Sequence, residues 1–263
     1  MTDHSTAAPA SSLPFLQAAI EGPGALFRNF FPFLQMAALP ILLFMLSWLT
    51  IQFYAPRAVA SLLVVLSDRI MTTIFGMAWL GYLLQPESSR RNWLPRWSRQ
   101  HWLFLFYILC ISGLAVLLQA SALWTISDHW PGLYRSNPTL LAILLRLPID
   151  YVHASIGLAF CALAVKQPGG PLWSWRLVGW SALKIVVIAT IISICFSFAG
   201  SFLSSIVSDL SGSADIFGLL SALPTNFADY ASYAVVLGVL AFAYRRLTGW
   251  PRATDEKVAA AFD

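Results

Sequence analysis

Charge is what this chain lacks most. Asp, Glu, Lys and Arg make up 11% of its 263 residues, against about 25% in soluble domains. With 58% hydrophobic residues, a soluble fold of this size could not cover its apolar surface. Cysteine is also scarce. Cys110, Cys161 and Cys195 all lie inside apolar runs, which excludes a disulfide framework and a cysteine zinc site. No His-Glu-x-x-His, no Gly-x-Ser-x-Gly and no phosphate-binding Gly-rich loop ending in Lys-Ser/Thr occurs, so the common hydrolase and nucleotide signatures are missing. The acids are dispersed, and His4, His101 and His129 fall in loops or the tail without metal-ligand spacing. No catalytic residue, metal or cofactor is therefore expected. The first twelve residues contain no Lys or Arg, which excludes a charged-then-apolar secretory layout. They read as a short disordered tail.

What the chain has is length of apolar run. A run of about 20 residues crosses a bilayer. Six are legible, at about 34–54, 58–84, 102–124, 140–165, 179–207 and 225–244. They predict an all-α polytopic transmembrane bundle, six spans as three hairpins, forming one domain over 13–247. Within it, an interfacial amphipathic segment at 13–34, broken at Gly22-Pro23-Gly24, precedes the spans. Residues 166–175 read as a loop turning at Pro168-Gly-Gly-Pro171, and 209–224 as a loop with a short helix near 216–222. Residues 248–263 form a polar tail.

The few charges are placed unevenly. Arg28, Arg90, Arg91, Arg96, Arg99, Lys166, Arg176, Arg245, Arg246, Arg252 and Lys257 fall on one side, and only Arg57 and Arg135 on the other. Eleven against two predicts that both termini are cytoplasmic. The net charge of +4 is spread through these short loops, so it reads as a topology determinant and not as a nucleic-acid surface. Trp93, Trp97 and Trp175 are interleaved with these arginines, as interfacial anchoring requires. Such a basic-aromatic rim, Arg28, Arg90, Arg91, Trp93, Arg96, Trp97, Arg99, Trp175 and Arg176, can also grip anionic lipid heads or a partner.

The span at 140–165 holds Arg146, Asp150 and His153. At ~100° per residue these three and Gly157 fall within roughly 60° of one another, so one face is polar. Intramembrane charge faces protein or water, not lipid. Asp68 and Arg69 lie at comparable depth in span 2. Asp68, Arg69, Arg146, Asp150 and His153 are thus candidates for one intramembrane polar cluster. It could form a proton, ion or headgroup path, or a neutralised network that fixes helix register. The balance of positive and negative groups favours the second. In the alternative, span 2 starts near Ile70 and leaves Asp68-Arg69 in the interface.

A weak threefold repeat overlies this layout. Asp68, Asp150 and Asp229 sit one on each returning span, and Gly76, Gly157 and Gly238 follow at intervals of 81 residues. Internal repeats are common in membrane proteins with a central site, yet six spans with even loops also produce rough periodicity. Span 5 carries a small-residue ridge, Ser193, Ser197, Gly200, Ser201 and Ser204, which suits close helix packing within the chain or, facing lipid, against a partner.

Several short motifs carry a resemblance. They are Phe27-Arg28-Asn29-Phe30-Phe31-Pro32-Phe33, Ala78-Trp79, Arg146, and Ser174-Trp175-Arg176-Leu177. On these the chain resembles a group of uncharacterised six-span proteobacterial inner-membrane proteins. More distantly it resembles the membrane domains attached to some glycerophosphodiester phosphodiesterases. That group often has His-Arg after the Ala-Trp pair, where Leu80-Gly81 stand here. The resemblance implies a bacterial inner membrane and no established chemistry. The expectation is a non-enzymatic structural, assembly or accessory subunit that packs against membrane lipids or other membrane subunits. The alternative is a small permease or lipid-handling protein using the polar face of span 4.

Overall fold

A computed structural model describes residues 13–54, 56–85, 97–129, 138–211 and 215–250. Among these the chain is helical throughout, without strands. The helices are α1 (Phe15–Arg28), α2 (Phe30–Tyr54), α3 (Arg57–Leu84), α4 (Arg99–His129), α5 (Pro138–Ala164), α6 (Pro171–Val178), α7 (Ser181–Ser211) and α8 (Asp215–Thr248). Six of them, α2, α3, α4, α5, α7 and α8, are long and apolar enough to cross a membrane. The expected bundle of six spans is what forms. The tails at 1–12 and 251–263 and most of the loops at 86–96 and 130–137 lie outside the described residues.

Three boundaries differ from expectation. The Gly22-Pro23-Gly24 break does not interrupt α1, which runs straight through it. Pro23 lies about two turns past the helix start, and Gly22 is needed where the helix meets a neighbour's backbone. The 166–175 loop gives way to the short helix α6, with Pro171 at its first turn, where a missing N–H costs nothing. The 209–224 loop is mostly helix, because α8 begins at Asp215 and passes through Pro224. Pro224 lies nine residues into a 34-residue helix, which continues on both sides of it.

Packing follows one rule around the molecule. α3, α5 and α8 touch one another pairwise and form an inner triangle. α2, α4 and α7 lie outside it, each against its hairpin mate, α3, α5 and α8 respectively. Each outer helix also leans on the inner helix of the preceding hairpin: α4 on α3, α7 on α5, and α2 on α8. The short helices obey the same order, with α6 on α5 and α1 on α8. The ring of hairpins thus closes. The three repeat glycines are contact points. A Cβ at Gly76 would meet the Phe104 ring and the Tyr233 hydroxyl at 3.0 Å, one at Gly157 would meet Leu240 at 2.5 Å, and one at Gly238 would meet the Gly22 carbonyl at 3.0 Å. Burial follows this division for α5 and α8 but not for α3, whose span Val59–Leu84 is only 17% buried. The inner spans Leu147–Ala164 and Ala222–Thr248 are 67% and 72% buried, whereas Arg99–Ile126 and Ser181–Asp209 are 22% buried.

The bundle is polarised along its length. Helix direction alternates, so the starts of α2, α4 and α7 and the ends of α3, α5 and α8 share the arginine-rich end. There the core is dense: Phe33, Phe75, Trp79, Phe104 and Leu158 are fully buried. Phe33 packs edge-on to Phe75 at 5.9 Å and to Trp79 at 6.0 Å, geometry that aromatic quadrupoles favour. The Trp79 indole donates to the Ala234 carbonyl at 2.9 Å. Further bonds tie the helix ends together. Tyr82 donates to Asn29 Oδ1 at 3.0 Å, Trp250 to the Leu84 carbonyl at 3.0 Å, and Arg245 to the Leu83 carbonyl. Lys184 donates to the Leu13 carbonyl at 2.8 Å and ties α7 to the start of α1. At the far end, Leu62, Val116, Leu117 and Phe198 are exposed. Apolar side chains there have lipid as their solvent.

Candidate intramembrane site and lateral groove

The polar layer lies in the far half of the inner triangle. Asp68 and Arg69 are both within α3, so span 2 includes them. Their side chains form an ion pair at 3.4 Å and are each about a third exposed. α8 faces this stretch of α3: Tyr230 and Tyr233 pack on Phe75 at 5.2 and 6.1 Å. Tyr230 is buried, with its hydroxyl toward Thr72; among the described residues the buried Nε of Arg69 meets no hydrogen-bond partner. On α5, His153 and Asp150 are half-buried, and His153 Nδ1 lies 3.2 Å from the Ile149 carbonyl of its own helix. The side chain of Arg146 lies outside the described residues. Tyr230 and Tyr233 are members of this layer that residue-by-residue reading did not select. The Asp229-Tyr230 pair, which echoes Asp150-Tyr151, was their only trace in the sequence.

The basic-aromatic rim is described in part. Arg90, Arg91, Trp93 and Arg96 lie outside the described residues. Arg28 is exposed and pairs with Glu21 at 2.5 Å, seven residues back along α1. Trp97 stacks on His101 at 5.3 Å and meets Trp102 edge-on at 5.2 Å. Trp175 meets Tyr151 edge-on at 5.8 Å, and Arg99 and Arg176 are exposed. Beneath Trp175, Ser174 is fully buried. Its hydroxyl donates to the Ser155 carbonyl at 2.7 Å and accepts from the Leu158 N–H at 3.1 Å, which pins α6 to α5. Among the described residues, no cluster of three or more His, Cys, Asp or Glu side chains is placed to hold a metal.

Concave space lies on the flank of the bundle. A groove of ≈ 550 Å³ opens between α2, α7 and α8, with Leu34, Ala38, Leu42, Ala199, Leu223 and Phe227 among its walls. Every residue lining it is apolar. On the side of α7 turned away from this groove, Ser197 and Ser201 are exposed between Phe198 and Phe202. The serine ridge is therefore split. Gly200 packs on Ala228, where a Cβ would come within 2.7 Å, and Ser193 meets Ser232 at 3.2 Å. Ser197 and Ser201 face outward.

The chain matches no protein-family model, no curated protein and no solved structure.

Proposed function

We propose that this integral membrane protein is a non-enzymatic accessory subunit of a bacterial inner membrane, with both termini in the cytoplasm. It works laterally, by packing helices against another membrane protein and the surrounding lipid. The observation that carries this is the outward face of α7. Phe198 is 79% and Phe202 62% exposed, and they flank Ser197 and Ser201 at a four-residue spacing. Bulky apolar groups alone are ordinary lipid-facing residues. Small hydroxyl residues between them let a second helix approach closely and hydrogen-bond. The orientation rests on the eleven-to-two distribution of basic residues. The resemblance to uncharacterised proteobacterial membrane proteins is in keeping with the same placement.

Gentle extraction into nanodiscs tests the reading. A second polypeptide is expected at fixed stoichiometry, and Ser197→Leu with Ser201→Leu is expected to release it while the chain still accumulates. A monodisperse single chain without any other polypeptide would overturn it.

A second reading, a small permease or lipid-handling protein, draws on the Arg69 Nε, which meets no partner among the described residues of the polar layer. Buried polar atoms without partners are costly and mark a place where a ligand or water is accommodated. Asp150→Asn that accumulates normally and abolishes function would favour this reading.

A further inference from the structure

The short helix α6 carries a cation that the chain leaves without a counter-charge. Between Asp150 and Asp209 the sequence has no acid, yet it holds Lys166, Arg176 and Lys184. At the arginine-rich end of the bundle several cations find partners within the chain. Arg28 pairs with Glu21, and the Leu13 and Leu83 carbonyls accept from Lys184 and Arg245. Arg176 is exposed and meets no ion-pair or hydrogen-bond partner among the described residues. Its helix is two-faced. Ser174 and Val178 turn inward, while Leu172, Trp175 and Arg176 recur at three- and four-residue spacing on the outward side. Leu172 and, just beyond the helix, Trp180 are 78% and 86% exposed, so the described chain leaves them uncovered.

Depth says what covers them. Ser174 bonds to Ser155 and Leu158, which belong to the span Leu147–Ala164 and lie ~9–14 Å short of its end. α6 therefore docks on the flank of a span instead of standing above it. Its outward side meets the boundary between acyl chains and headgroups, where tryptophan is favoured. We propose that this face seats the headgroup of an anionic phospholipid. Arg176 offers its planar fork to the lipid phosphate, and Leu172, Trp175 and Trp180 lie against the glycerol and the upper acyl chain. A zwitterionic lipid carries its own compensating cation; a segment with three cations and no acid favours a head of net negative charge. The start of the first hairpin is an internal control. Exposed Leu16, Ile20 and Phe27 accompany Arg28 there, but Glu21 already neutralises it.

The test uses the full chain in phosphatidylcholine nanodiscs doped with a trace of photoreactive lipid, either phosphatidylglycerol or phosphatidylcholine. Each probe bears a diazirine at the same position near the head of one acyl chain, and adducts are mapped by peptide mass spectrometry. On 171–180 the phosphatidylglycerol probe is expected to exceed the other about fivefold, which corresponds to ~1 kcal/mol; on 15–28 the two are expected to label alike. Arg176→Gln is expected to equalise the probes on 171–180, Arg176→Lys to keep most of the excess, and Arg28→Gln to leave it. Inorganic phosphate, compared with chloride at matched ionic strength, is expected to leave it too. Equal labelling of 171–180 in the wild type would overturn the proposal, as would an excess that Arg176→Gln leaves intact. Loss of the excess to phosphate would overturn it in favour of a free anion. Efficient cross-linking of a photoreactive residue at Leu172 to another polypeptide in native membranes would overturn it in favour of a protein partner. If Arg176→Gln fails to accumulate, the wild-type ratio decides. Loss of the α7 partner leaves this result unaffected, because Ser197 and Ser201 lie more than about four helical turns along α7 from Trp180.

Discussion

Gly22 and Gly238 meet backbone to backbone: the Gly22 carbonyl lies 3.0 Å from the point where a Cβ on Gly238 would stand. This contact seats the interfacial helix α1 on the innermost helix α8 and so closes the ring of hairpins. It also explains why a Gly-Pro-Gly run sits inside a continuous helix. A Cβ on Gly22 would come within 2.5 Å of Val239 and 3.0 Å of the Val235 carbonyl. Gly22→Ala and Gly238→Ala are each expected to destabilise the protein by about 1–3 kcal/mol, the cost of overpacking. Gly81→Ala, with Gln85 as its nearest neighbour at 4.0 Å, is expected to be neutral or to stabilise by up to ~1 kcal/mol through helix propensity. Thermal unfolding in mild detergent checks all three.

The same comparison separates the three glycines of the repeat. At Gly157 the obstructing atoms are the tip of Leu240, which can turn aside; at Gly238 they include backbone. Gly157→Ala is therefore expected to lose less than Gly238→Ala, and an equal loss would show that α5 and α8 cannot shift against each other.

Trp79 joins the dense end together. It is fully buried, stacks on Tyr82 at 5.8 Å and donates to Ala234. Trp79→Ala is expected to cost about 3–5 kcal/mol. Trp79→Phe keeps an aromatic ring and is expected to cost markedly less. Detergent unfolding with near-ultraviolet dichroism distinguishes the two.

The Asp68–Arg69 pair gives a prediction of sign. Asp68→Asn leaves the half-buried Arg69 without its counter-charge, whereas Asp68→Asn with Arg69→Gln removes both charges. The single variant is expected to lose about 1–3 kcal/mol and the double variant to recover most of it. A double-mutant cycle on unfolding free energies reads the coupling.

Ser174 is the only side chain described as bonding α6 into the backbone of α5. Ser174→Ala leaves the Ser155 carbonyl without this bond and is expected to cost about 1–3 kcal/mol. Proteolysis near 166–172 in folded protein is expected to speed up with it.

Much of the fold was legible because apolar run length sets the spans directly. No long loop confused the count. Helix ends were harder to place. Pro23 and Pro224 read as breaks, yet α1 and α8 absorb them, because packing on neighbours outweighs a local propensity cost. The polar layer was half legible. Charges in an apolar run stand out, so Asp68, Arg69, Asp150 and His153 were selected, but only Asp68 and Arg69 are seen paired; Tyr230 and Tyr233 look like any interfacial aromatic until α8 is placed against α3. The groove was not legible at all. It arises where α2 stands off from α8, and no single residue records that gap.

The central claim is that the working surface is lateral and that no aqueous path crosses the dense half of the bundle. Cys161 is a native reporter. It is fully buried on α5, two turns beyond His153 toward the arginine-rich end, while Cys110 and Cys195 are exposed on outer helices. In a Cys110→Ser, Cys195→Ser background, intact membranes are treated from both sides with a small charged methanethiosulfonate, and labelling is then compared with denatured protein. The account predicts that Cys161 stays unlabelled until denaturation. Labelling in the folded protein would show water reaching the core past the polar layer, and would contradict the lateral reading in favour of a permease.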